Sequence, residues 1–320
     1  MKPDDNEQIQ REGKKRRWDI LSFGDPVADL VFGVSLPPHN GEKVLGRSLG
    51  IWPGGTTANL ACAVSKIGLQ AAIYGRVGDD GYAAILRASF SDFAVNTDYL
   101  ETVKQSSSSL AINMLSDSGE KSIVFIPTKA EPLNEMRLRE AMQQTQIVYA
   151  MPYDLEELDT LSRLARAETV LVAIDIEAAV APDYAAMWDR ISRADVVFFN
   201  ESGFMAGTGE CPNEESISRL LAAGPRLIVV TLGAGGAMAA SKKGFARQAA
   251  FATPVIDTTG AGDTFNAVFL AAYIEGQTLQ DTLRFACAAA SKTVATMGAR
   301  AGMPTRDEIL SALSGDVYNL

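Results

Sequence analysis

The run Asp257-Thr258-Thr259-Gly260-Ala261-Gly262-Asp263-Thr264-Phe265 holds the residues best suited to chemistry. Gly260, Ala261 and Gly262 lack bulky side chains, so their backbone N–H groups can crowd around an anion. The stretch Phe265 to Ile274 has helical spacing, and a helix start near Asp263 adds partial positive charge at the same point. A carboxylate in an anion-binding turn repels its ligand unless it has a task. The task that fits is to take a proton from an alcohol while the turn stabilises a transferring phosphoryl group. The plainer use of Asp263 is as a helix cap. In front of the turn, the apolar run Ala250 to Ile256 reads as a strand.

A second glycine cluster precedes another helix. Gly54-Gly55-Thr56-Thr57-Ala58-Asn59 opens an apolar-faced segment through Leu60, Ala61, Val64 and Ile67, which stops at Gly68. Asn59 falls in its first turn, beside free backbone donors. Ala71 to Gly75 then reads as a buried strand.

The elements that must position these turns alternate. Asp19 to Gly24 reads as a first buried strand, ending near Asp25 and Asp29. Further strands of the parallel type are expected at Ile147 to Met151, Val170 to Ile174, Asp195 to Phe199 and Leu227 to Thr231, with helices between them. This order predicts an α/β fold with a doubly wound, mostly parallel central sheet flanked by helices, and sites at the carboxyl ends of its strands. Two extended stretches interrupt it, Leu30 to Trp52 and Ser107 to Pro127. Alternation of Leu110, Ile112 and Met114 with Ala111 and Asn113 suits a two-faced sheet.

Other classes are excluded or weakened. The 320 residues carry a net charge of -10, which argues against nucleic acid as a partner. His39 is the only histidine, so no His-based triad or His-rich metal site exists. Cys62, Cys211 and Cys287 are too few and scattered for a disulfide framework or zinc site. No apolar run has membrane length and no signal peptide is expected, which points to a reducing cytoplasm. Residues 1–17 are polar and end in Lys14-Lys15-Arg16-Arg17; they read as a solvated tail before a domain spanning 18–320. Leu232-Gly233-Ala234-Gly235-Gly236-Ala237-Met238 mimics a dinucleotide fingerprint, but Met238 occupies the third small position and extended chain follows. No Walker-type phosphate loop is present.

GGTTANLACAVSKIG and DTTGAGDTFNAVFLAAY, together with GRVGDDG, VVTLGAGG and GARAGMPT, resemble the ribokinase-like (PfkB) family of carbohydrate kinases from about Trp18 to the C-terminus. The resemblance implies ATP-dependent phosphorylation of a primary hydroxyl on a small sugar or sugar acid. It implies Asp263 as base and Gly260, Ala261 and Gly262 as an anion hole, with Mg2+ bridging phosphate oxygens. It places Asp29, Gly54, Gly55 and Asn59 around the sugar. Asn200, Thr231, Gly233, Gly235 and Gly236 fall to the nucleotide, and Cys287 to the adenine pocket or the core. Asp257 and the Thr259 backbone match a monovalent-cation site for K+. Segments 30–52 and 107–127 become a small β-sheet lid over the sugar, whose outer face offers pairing with a second subunit.

Three residues depart from the pattern. Gly203 stands where relatives carry the Glu of Asn-x-x-Glu, and Glu201 is the nearest substitute. Val27 and Thr56 replace the Asn and Lys of ribokinases proper, which argues against ribose. A nucleoside kinase, using Trp52 and Phe125 as a base pocket, and a non-catalytic sugar-binding regulator are the alternatives.

Overall fold

The computed structural model describes residues 16–315 apart from 119 and 130. Residues 1–15 of the expected tail therefore lie outside the described residues. Of its last two residues Arg17 is exposed, while Arg16 is partly buried against the domain. The Arg16 guanidinium donates to the Met142 carbonyl at 3.3 Å, to that of Thr145, and to the Glu168 carbonyl at 3.0 Å. Arg17 lies 4.3 Å over the Trp18 ring. A guanidinium satisfies the orphan carbonyls that end two helices, which is a better use of a cation than open solvent.

Among the described residues the strands are β1 (Trp18–Phe23), β2 (Val27–Val34), β3 (Gly46–Gly54), β4 (Ala71–Val77), β5 (Asn96–Thr102), β6 (Ser109–Ser116) and β7 (Lys121–Ile126). They continue with β8 (Thr145–Ala150), β9 (Leu171–Ile176), β10 (Val196–Asn200), β11 (Leu227–Thr231), β12 (Ala237–Ser241) and β13 (Gly244–Gln248). The large sheet has the order β13-β12-β11-β10-β9-β8-β1-β4-β5. Neighbours from β5 to β11 are parallel, and β12 and β13 close one edge as an antiparallel hairpin. Both faces are covered, so its central strands are continuous apolar runs. The helices Thr56–Lys66, Ala261–Ile274 and Leu279–Thr293 bury Leu60, Val64, Phe269 and Leu283 on one face. On the other face Leu138, Leu161, Met187 and Phe204 form a second apolar layer.

The small sheet has the order β3-β2-β6-β7. Its register aligns Trp52, Asp29, Ala111 and Phe125 in one row across all four strands, so these side chains share a face. Asp29 therefore stands within β2, not at the end of the first strand of the large sheet. The two hairpins of the small sheet begin at Val27 and Ser109, not at 30 and 107, and 35–45 is irregular.

The expected strand at Ala250 to Ile256 does not form; those residues have no sheet partner. Their apolar character has a different cause. Ala250, Phe251, Ala252 and Val255 line the main cleft, so their apolar surface faces a cavity instead of a sheet neighbour.

Candidate active site

The strands of the large sheet diverge in connection between β1 and β8, and a cleft of about 1790 Å³ opens at the carboxyl ends there. The small sheet forms one wall through Asp29, Ala111, Asn113, Lys121, Ile123 and Phe125. A cleft larger than a usual single-ligand pocket has room for two substrates.

The turn that opens the helix Ala261–Ile274 forms the floor. Gly260 is its N-cap, at φ +80°, and a Cβ there would lie 2.4 Å from the Ala299 carbonyl oxygen. Only glycine fits both conditions. Gly262 is exposed, and nothing lies within 4 Å of where its Cβ would be. The Ala261 N–H is bonded to the Thr258 carbonyl at 3.2 Å, and no side chain caps the helix. The N–H groups that follow, of Gly262 and Asp263, are thus the donors left for a ligand.

Asp263 lies in the first helical turn, on the cleft. Asn59 Nδ2 donates to its Oδ2 at 2.8 Å, which joins the two glycine-led helices at their N-terminal turns. Arg300 Nε donates to Asn59 Oδ1 at 2.9 Å. The rest of that guanidinium reaches Ser89 Oγ at 2.9 Å and the Gly54 carbonyl at 3.4 Å, with the Phe90 ring 5.3 Å away. Burial pushes the Asp263 carboxyl up to about 7, and the Glu177 charge adds to this; the Asn59 bond and Arg300 oppose it. A carboxyl held there can gain or lose a proton near neutral pH.

Asp29 accepts from Asn113 Nδ2 at 3.0 Å, and burial raises its carboxyl above the usual range. A Cβ on Gly54 would stand 2.0 Å from Asp29 Oδ2, so that glycine makes room for the carboxylate. Gly55, at φ +93°, caps the helix Thr56–Lys66 and lines the cleft.

Among the residues expected at a nucleotide, Asn200 Oδ1 accepts from the Gly203 N–H at 2.7 Å and so caps the helix Glu201–Thr208. Thr231, Gly233, Gly236 and Cys287 line the cleft. Gly235 does not; its N–H closes the turn onto the Leu232 carbonyl at 2.9 Å. Gly233–Gly235 is a single 3-10 turn followed by β12, with no helix, so the dinucleotide fingerprint lacks its dipole. Cys287 is buried on the helix Leu279–Thr293, and burial pushes its thiol up to about 12.

Asp257 is tied down on three sides. Its Oδ1 accepts from the Thr259 N–H at 2.9 Å and the Thr259 hydroxyl at 2.7 Å, and its Oδ2 accepts from the Gly298 N–H at 2.8 Å. Burial pulls its carboxyl up, but these three donors prevail and hold it below the usual range. Trp52 packs within 3.3 Å of where a Gly298 Cβ would be and does not line the cleft, unlike Phe125.

Several residues at the site had no role assigned from the sequence, although Arg76 lies in the GRVGDDG run and Arg300 in GARAGMPT. Asp175 is buried and accepts from the Tyr149 hydroxyl at 3.1 Å and Asn266 Nδ2 at 2.9 Å. Burial, with the charges of Glu177 and Asp263, raises it to about 7. Arg76 bridges Asp25 and Glu157 on the cleft wall. Arg300 sits in the closing GARAGMPT run and Asn113 in the alternating lid strand, which are the only signals they gave.

Among the described residues no group of three or more His, Cys, Asp or Glu side chains is placed to hold a metal. The donor set suits a divalent cation that arrives with nucleotide phosphates, for which one or two carboxylates suffice. Among the described residues no helix is long and apolar enough to cross a membrane.

A family model described as pfkB family carbohydrate kinase matches residues 19–306. A ribokinase of Bacillus subtilis is 32% identical over 302 residues, covering 92% of this chain and 99% of the relative. Fructokinase-2 of Solanum habrochaites is 28% identical over 329 residues, covering 92% and 96%. The solved structure of Arabidopsis thaliana ribokinase complexed with ribose and ATP matches with a TM-score of 0.84 at 27% identity, over 92% of this chain and 98% of that one.

Proposed function

Because the chain belongs to the pfkB family of carbohydrate kinases, we propose that its cleft moves the γ-phosphoryl group of ATP to a primary hydroxyl of a small sugar or sugar acid. The chain is an ATP-dependent carbohydrate kinase; the acceptor and the residue roles are our reading. The observation that carries it is the Asp263 carboxylate, held by Asn59 on a helix start that no side chain caps and that opens on the cleft.

In this reading Asp29 orients the sugar by accepting its hydroxyls, with Asn113 fixing one of its oxygens. Asp263 takes the proton of the hydroxyl that attacks. The turn Gly260-Ala261-Gly262 stabilises negative charge on the phosphoryl group through free N–H groups of the helix start, chiefly those of Gly262 and Asp263. Mg2+, when bound, neutralises charge on the phosphate oxygens. Asn200, Thr231, Gly233 and Gly236 hold the nucleotide, and Cys287 borders its base. Asp257 would hold a monovalent cation, which would keep the turn Gly260 to Gly262 in shape. The small sheet acts as a lid that excludes water, which would otherwise accept the phosphoryl group.

The acceptor is a polyhydroxy compound other than ribose. Val27 lines the cleft two residues before Asp29 and offers no hydrogen bond, and Thr56 replaces a lysine. A nucleoside acceptor is the second reading, favoured by Phe125, which is 54% exposed on the cleft wall. On the face of the small sheet away from Asp29, Ile51 and Val124 are exposed, which suits pairing with a second copy of the chain. The free thiols Cys62, Cys211 and Cys287 suit a reducing cytoplasm.

A coupled ADP-release assay over a panel of sugars, sugar acids and nucleosides tests this. A sugar or sugar acid should give the highest kcat/KM. Ribose should trail by roughly 5- to 150-fold, the effect of leaving one buried hydroxyl unpaired. Ribose at the top of the panel would refute the specificity, and turnover of nucleosides alone would establish the second reading.

A further inference from the structure

Nearly every carboxylate on the cleft has a partner. Asp25 and Glu157 share Arg76, Asp29 has Asn113, Asp175 has Tyr149 and Asn266, and Asp263 has Asn59. Asp154 caps its own helix. Glu177 and Glu201 differ, since neither carboxylate makes a hydrogen bond or ion pair among the described residues. Glu201 is exposed, whereas Glu177 follows β9, lines the cleft and is partly buried. Its charge acts on both Asp175 and Asp263 and raises them. A bare carboxylate beside two others in a partly desolvated cleft is unfavourable unless a cation joins them.

The residue packed against it explains an absence. A Cβ on Gly203 would fall 2.3 Å from the Ile176 carbonyl oxygen and 2.9 Å from Glu177 Cα. A glutamate at 203 therefore cannot fit without displacing the strand end that carries Glu177. Glycine at 203 lets the helix Glu201–Thr208 close onto that strand end, so a carboxylate reaches the same corner of the cleft from the strand. Glu201 is exposed at the helix start.

We infer that Glu177 is the carboxylate that holds the divalent cation carried by ATP, in place of a glutamate at 203. The inference rests on the kinase reading above. Its chemistry is ordinary for Mg2+, which takes one or two carboxylates together with substrate phosphates.

The test is a titration of the full chain with Mn2+, followed by electron paramagnetic resonance, in the presence of a non-hydrolysable ATP analogue. Glu177→Gln should weaken Mn2+ by about 10- to 100-fold. Glu201→Gln should change it by no more than about fivefold, the ceiling for an exposed charge. Calorimetry with the analogue in EDTA separates this from damage to the site. Without metal, Glu177→Gln should bind the analogue as tightly as wild type or more tightly, because a like charge has been removed from beside the phosphates. Its melting temperature in EDTA should not fall. Unchanged Mn2+ affinity in Glu177→Gln, or the loss appearing in Glu201→Gln instead, overturns the inference. So does an equal loss of metal-free binding. A wild-type chain that binds the analogue neither with nor without Mn2+ overturns the kinase reading itself.

Discussion

Asn59 and Asp263 are 204 residues apart in sequence, and their side chains meet at 2.8 Å. Each lies in the first turn of a helix that a glycine caps at positive φ, Gly55 at +93° and Gly260 at +80°. The bond aims the carboxylate, and Arg300 aims the amide from behind.

Asp263→Asn should fold and bind both substrates while losing about 10²- to 10⁴-fold in kcat, the usual contribution of a general base. No histidine lies near to replace it, since His39 is the only one. A variant that kept more than about a tenth of wild-type kcat would remove Asp263 from this role.

The pH dependence follows from the same carboxyl. Its folded pKa is raised to about 7, and a base works only when ionised. Log kcat/KM should therefore fall with unit slope as pH drops below about 7. Stability should run the other way. The folded chain binds this proton more tightly than the unfolded one, so ionisation destabilises the fold as pH rises from the ordinary carboxyl range to about 7, and fully above it. Asp263→Asn should melt higher than wild type at pH 8, and the gain should shrink towards pH 5. Melting curves at the two pH values check this.

Arg300→Ala should cost about 3 kcal/mol of stability, because Asn59 Oδ1 and the Gly54 carbonyl lose a buried charged donor. Arg300 also holds the Asp263 carboxyl down, so the acid limb of the kcat/KM profile should move to higher pH. A merely structural arginine would leave that limb in place. Arg300→Lys should not restore it fully, since an ammonium lacks the planar fork.

Gly54→Ala places a methyl 2.0 Å from the Asp29 carboxylate and must displace it. We expect kcat/KM for the sugar to fall by about 10- to 100-fold, the scale of one lost charge-assisted hydrogen bond, with KM for ATP unchanged. Asp29→Ala should weaken every sugar acceptor alike. Equal losses for both substrates in Gly54→Ala would show a general collapse of the cleft.

Activity should rise when K+ replaces a large organic cation at constant ionic strength. Asp257 is ionised and pinned by Thr259 and Gly298, so an ion there would stiffen Gly260 to Gly262. Equal rates at saturating ATP and Mg2+ would remove the cation from the mechanism.

The two glycine-led turns and the side chains they place on the cleft were legible in sequence wherever backbone conformation dictated residue type. Gly55 and Gly260 are required by positive φ, and Asn59 and Asp263 follow at fixed helical offsets, so local spacing carried them. The parallel sheet was legible for a similar reason, since strands buried on both faces must be apolar throughout. The same rule misread Ala250 to Ile256, because an apolar run does not say whether a strand or a cavity will cover it. Partners fixed by long-range contact had no local signature. Arg300 meets Asn59 from 241 positions away, and Asn113 meets Asp29 from 84. Glycine at 203 looked like a lost carboxylate until packing put Glu177 beside it. Sequence determines the conformation of each turn through short-range sterics; which charges then share a desolvated space is decided only when the sheet brings its strand ends together.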